Sequence, residues 1–120
     1  MHQQFRQYLE AGVPPTVKWE LQFVTSFRGI IVDRKSPEVL AMQSALETVF
    51  ERTPIFQRVG GGIGAVSMFK DVLGIDSVLT GFSLQDDNFH GPNEKLHLPT
   101  WKKGMNAIVH FLYVIAGSPE

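Results

Sequence analysis

The sequence predicts an α/β fold, and three observations predict it. From Ser36 onward, helical and extended patterns alternate as helix, strand, helix, strand, helix. The stretch IDSVLTGF, residues 75 to 82, sets Ile75, Val78, Leu79 and Phe82 without a strict alternation and reads as a strand covered on both faces. The best-signalled helix opens Ser36-Pro37-Glu38, which places a capping hydroxyl, a ring with preset φ and a carboxylate at the positive end of the helix dipole.

Taken in order, residues 2 to 11 predict a short helix with Phe5, Tyr8 and Leu9 on one side and Gly12 as its stop. Pro14-Pro15 forbids its continuation. TVKWELQFV alternates, with Val17, Trp19, Leu21 and Phe23 on one face and Lys18, Glu20 and Gln22 on the other, as a half-buried strand does. TSFRG reads as a connector and IIV as a short extended piece. The helix from Ser36 repeats Val39, Met42, Leu46, Val49 and Phe50 at helical spacing through Glu51. PIFQRV is a brief strand candidate, GGGIG a loop, and AVSMFKDVL a helix stopped by Gly74. A last helix begins at Pro99 or Thr100, with Trp101, Met105, Ile108, Leu112 and Ile115 as its inner face. Gly104 weakens that helix by about 1 kcal/mol relative to alanine. The boundaries that follow are 1–25, one helix and one amphipathic strand; 26–35, a connector; and 36–120, the alternating part. A lone helix and strand cannot cover their own apolar face, so the first part reads as the end of a larger unit.

Bulk properties narrow the function. A chain of 120 residues with 43% hydrophobic and 19% charged residues is one ordinary globular domain. The net charge of −1 argues against nucleic acid or an anionic membrane as partner. With no cysteine there is neither a disulfide nor a thiolate metal site. No apolar run approaches the ~18 residues of a membrane span, and the N-terminus lacks a signal-peptide core, so a cytoplasmic location is expected.

Two segments carry chemistry. RVGGGIGA follows an extended stretch and opens a helix, and Gly60, Gly62 and Ala65 satisfy the G-x-G-x-x-A spacing of a dinucleotide loop. Against it, the preceding strand is short and carries Gln57 and Arg58, and no acidic residue ends the next strand. The other readings are a turn in which glycine permits tight backbone, or a backbone nest for a substrate carboxylate. The second segment, DDNFHGPNEKLHLP, residues 86 to 99, places His90 just beyond a buried strand, where open α/β sheets bind ligands. Imidazole is a common zinc ligand whose second nitrogen needs a hydrogen-bond partner, and Asp86, Asp87 and Glu94 are candidates. A solvated or structural histidine is the plain alternative.

RVGGGIG followed by DDNFHGPNE resembles the C-terminal end of the zinc exopeptidase family called peptidase family M-twenty, whose pattern there is R-E-G-G-S-I-P, a helix, a strand, then D-D-x-x-H-[SG]-P-N-E. The resemblance covers residues 1 to about 116, and the dipeptidase branch looks nearest. It implies an α/β catalytic domain with two zinc ions and an inserted ferredoxin-like lid that mediates dimers. Residues 1–25 then look like the last helix and strand of the lid, and 36–120 like the C-terminal portion of the catalytic domain. His90 falls on the family's C-terminal zinc ligand. Arg58, Gly61, Gly62 and Ile63 fall on the segment that holds the substrate's carboxylate end, the substrate being a dipeptide or N-acyl amino acid. The sequence departs from the pattern at Val59, where the family often has glutamate, at Gly62, where it has serine, and at Gly64, where it has proline.

The resemblance also implies a His-x-Asp pair, a bridging aspartate and a Glu-Glu pair that supplies a ligand and the general base. None of these pairs occurs in the 120 residues. A catalytic zinc takes about three protein ligands, so the chain alone is expected to be inactive and at most a weak zinc binder. The expectation is a fragment of a zinc-dependent amide hydrolase, completed by a missing N-terminal segment or by oligomerisation. The alternatives are a catalytically inactive remnant or interaction module, and dinucleotide binding through Gly60 to Ala65.

Overall fold

The structure is a computed structural model, and it describes residues 2–58 and 63–117. Among the described residues four helices form: α1, His2–Gly12; α2, Pro37–Phe50; α3, Gly64–Met68; and α4, Leu98–Ile115. A π-helical turn, Phe69–Leu73, continues α3.

α2 starts where its capping residues require. The Ser36 hydroxyl accepts the amide of Val39 at 3.3 Å, and Pro37 occupies the first turn. It ends at Glu51, which takes the left-handed conformation (φ 55°) and donates its amide to the Glu47 carbonyl at 2.8 Å. Glycine usually fills this role, since a Cβ there costs about 1 kcal/mol. α4 starts earlier than proline and threonine signal. His97 caps it, with Nδ1 accepting the Thr100 amide at 3.3 Å and lying 2.7 Å from the Thr100 hydroxyl.

The core lies between α2 and α4, which pack against each other. α2 buries Val39, Ala41, Met42 and Ala45, and α4 buries Gly104 and Ala107. Gly104 does more than weaken the helix. A Cβ on it would lie 2.7 Å from the Phe82 ring, and that ring stacks on Phe50 with centroids 6.2 Å apart and planes 6° from parallel. The absent methyl therefore lets the segment before the histidine loop sit directly on α4. The contact stripe differs from the expected inner face. Trp101, Met105, Ile108, Leu112 and Ile115 stay 36% to 58% exposed. They lie about a quarter-turn from Gly104 and Ala107 at 100° per residue.

α1 forms as expected but buries no residue, and His2 meets Phe23 edge-on at 4.5 Å. α3 and the π turn carry the expected helix, closed by Gly74 at φ 70°. Arg28 pairs with Asp71 across this turn, and Lys70 with Asp76 at 2.7 Å. The stretches expected as strands behave differently. Residues 17–33, 53–58 and 75–84 run without helix, and no strand ladder forms among the described residues. Alternation sets which face a strand would bury, but a ladder also needs a neighbour for each backbone N–H and C=O. The molecule is correspondingly open. Its radius of gyration is 19.9 Å, against about 14 Å for a compact domain of this length.

Candidate functional site

The His90 loop is built on a buried aspartate. Asp87 is 2% exposed although it carries a carboxyl group. Its Oδ2 accepts the Leu84 amide at 2.7 Å, and its own amide donates to the Leu84 carbonyl at 3.2 Å, closing a tight turn. Its carbonyl accepts the Lys95 amide at 3.0 Å, which returns the far end of the loop to the same residue. Oδ1 is buried with no partner. One residue thus fixes both stems of the hairpin-like excursion 84–95.

Between those stems the backbone is strained. Asn88, His90 and Asn93 all have positive φ, at 53°, 61° and 57°. Asparagine tolerates this region; histidine does so less readily, and such outliers gather where surroundings hold them for a purpose. The Gly91 amide donates to the Asn88 carbonyl at 2.7 Å, and a Cβ on Gly91 would lie 3.0 Å from that oxygen. A side chain beside the histidine would therefore press on the Asn88 carbonyl, and glycine leaves that turn unstrained. The His90 ring is exposed and lies 4.1 Å from the Phe89 ring at 40°.

The three carboxylates named as possible partners of the imidazole are otherwise disposed. Asp86 pairs with the Lys95 ammonium at 2.6 Å. That hydrogen bond, and then the lysine charge, hold the Asp86 carboxyl below its ordinary value; the same bond raises Lys95. Asp87 spends Oδ2 on the Leu84 amide, and Glu94 is exposed. Arg58 and Ile63 are both exposed, and Gly61 and Gly62, with Val59 and Gly60, lie outside the described residues. An open groove of about 430 Å³ lies between the end of α2 and the start of α4, lined by Glu51, Arg52, His97 and Lys103 among others, and it includes neither His90 nor Arg58. No helix among the described residues is long and apolar enough to cross a membrane.

The donor set does not fit a catalytic zinc ion within this chain. No group of three or more histidine, aspartate or glutamate side chains that could hold a metal occurs among the described residues. His90 stands as a single presented ligand. The dinucleotide reading gains nothing here: its glycines lie outside the described residues, and α3 runs only five residues with no side-chain cap.

Sequence reasoning missed three parts of the site. Histidine is not among the usual N-caps, so residue type does not announce exposed His97 as the cap of α4. The burial of Asp87 has no local signal, because its neighbour Asp86 is exposed. The return bond from Lys95 depends on loop closure, which residue types do not report.

Two curated proteins similar to this chain are metallodipeptidases. The Cys-Gly metallodipeptidase DUG1 of Saccharomyces cerevisiae is 30% identical over 90 residues, which are 75% of this chain and 19% of that protein. Its Candida albicans counterpart is 26% identical over 96 residues, 80% of this chain and 20% of that protein. The chain spans about a fifth of the length of the curated relatives it matches. No family model matches the chain, and no solved structure matches it.

Proposed function

We propose that this chain is the C-terminal portion of a metal-dependent dipeptidase-like hydrolase of the M-twenty type. His90 contributes one zinc ligand. The remaining donors and the general base come from polypeptide beyond these 120 residues. Arg58 and backbone groups of 61–63 meet the carboxylate end of a dipeptide such as Cys-Gly. Residues 1–25 are the last helix and strand of a lid domain, and the protein works in the cytoplasm. The observation that carries this reading is the similarity to Cys-Gly metallodipeptidases over three quarters of the chain. The exposed histidine on a strained loop pinned by buried Asp87 supports it. The unladdered stretches and the unburied α1 support an incomplete sheet and lid.

The test is a zinc titration of the chain followed by the ring signals of its four histidines. His90 responds first, at weak affinity, and His90→Asn removes that response. A titration that moves His97 and leaves His90 untouched would sink the assignment. Hydrolysis of Cys-Gly by the chain alone, sensitive to chelator, would overturn the part that places the other donors elsewhere. A second reading, a non-catalytic interaction module, is favoured by one feature, the apolar stripe left open along α4.

A further inference from the structure

His97 caps α4 with an atom that can lose its role. Its Nδ1 accepts the Thr100 amide at 3.3 Å and lies 2.7 Å from the Thr100 hydroxyl. A ring nitrogen accepts only while it carries no proton, so the capping imidazole is neutral, with its proton on Nε2. The usual capping side chains, serine, threonine, asparagine and aspartate, accept throughout the neutral range. α2 shows the contrast, because the Ser36 hydroxyl that caps it does not titrate there.

We propose that His97 is an acid-released clasp on the His90 loop: neutral, it holds the first turn of α4, and protonated, it lets that turn go. The clasp stands on hydrogen bonds within the chain and not on the metallodipeptidase reading. The imidazolium has no lone pair on Nδ1, so the Thr100 amide loses its acceptor, and Nδ1–H is left to donate to the Thr100 hydroxyl. Protonation also puts a positive charge at the positive end of the α4 dipole. The surrounding charges do not offset this. Glu51 and Arg52, at the end of α2, line the same groove as His97, and Lys103 lines it from α4. Asp86 of the loop feels the His97 charge but is already paired with Lys95 at 2.6 Å. Arg52 and Lys103, neither in an ion pair among the described residues, thus outnumber Glu51. The loop depends on the clasp through the chain. The Lys95 amide closes the loop on the Asp87 carbonyl at 3.0 Å, and His97 follows directly after Leu96. The downstream stem is therefore moored to α4 by His97. The folded clasp needs the neutral ring, so its contribution is present above the ordinary histidine range, about pH 6.5, and is lost as pH falls below it.

NMR of the full chain tests this. At about pH 7.5 the imidazole nitrogen-15 shifts of His97 should report a bare Nδ1 and a protonated Nε2, a measurement that needs no variant. Between about pH 7.5 and pH 5.5, protection of the Thr100 amide against exchange, normalised to its intrinsic rate, should fall roughly five-fold, the size of an N-cap's contribution. His97→Asn keeps an acceptor that does not titrate, so it should abolish that fall, whereas His110→Asn should leave it in place. A proton on Nδ1 at pH 7.5 overturns the proposal. So does a Thr100 amide indifferent to pH, or one that responds to pH equally in His97→Asn.

Discussion

Asp87 ties the histidine loop by backbone contacts rather than by touching the imidazole. Its Oδ2 takes the Leu84 amide and its carbonyl takes the Lys95 amide, so truncating the side chain leaves one stem without its acceptor. Asp87→Ala is expected to cost about 1–2 kcal/mol in chemical denaturation, the contribution of one part-buried hydrogen bond. Asp87→Asn, which keeps an acceptor oxygen, should cost less, and equal losses would mean that shape rather than the hydrogen bond matters. Asp86 and Lys95 give a pH signature. A carboxyl held below its ordinary value adds stability above its unfolded pKa and loses it as pH falls through the lower folded value. An ammonium held above its ordinary value adds stability below its unfolded pKa and loses it as pH rises through the higher folded value. The pair's contribution is therefore intact between about pH 4 and about pH 10, and small because both groups are exposed. Lys95→Gln should move the Asp86 titration midpoint upward in an NMR titration; an unmoved midpoint removes the ion pair as its cause. At this scale, residue types in DDNFHGPNE pointed to His90 as the presented side chain. They could not tell buried Asp87 from exposed Asp86, because that difference arises only when the loop closes on itself.

Among the elements, helices were the most legible, since their signals are local. Ser36, Pro37 and Glu38 announce α2 within three residues, and Gly74 announces the end of the π turn. The strands were legible only as candidates, because Val17 to Phe23 can alternate without any neighbour being present to complete a ladder. The α4 stripe was legible as apolar, but sequence could not say which of two apolar stripes α2 would take; the small side chains at 104 and 107 decided it by allowing the closer approach. Two substitutions follow. Gly104→Ala gains about 1 kcal/mol of helix propensity, yet its methyl would sit 2.7 Å from the Phe82 ring, so a net loss of about 1–2 kcal/mol is expected by thermal or urea unfolding. A net gain would show that Phe82 moves freely aside. Glu51→Gly relieves a left-handed non-glycine residue at the end of α2 and should raise stability by about 0.5–1 kcal/mol in the same measurement.

For the whole molecule, the description is of a small helical centre with long arms. Its longest extent is 70 Å against 19 Å for its shortest. Backbone without ladder or helix partners exchanges its amide hydrogens readily, whereas α2 and α4 protect theirs. Hydrogen exchange by mass spectrometry should therefore find protection over 39–50 and 102–115 and little over 17–33 and 75–84. Strong protection of 75–84 in the free chain would mean that this segment finds a sheet partner in solution.

The contact of Phe82 with Gly104 has a consequence for how the loop tolerates change in length. The ring and the bare helix backbone act as a keyed joint, and the next anchorage along the chain is the Asp87 turn, five residues on. Residues added after Asp87 and before Lys95 would leave both anchors seated and let the imidazole wander. A residue deleted between 82 and 87 would draw the key from its slot and carry the whole excursion to a new height above the helices. The reach of His90 is thus gauged by a side chain that position 104 does not have.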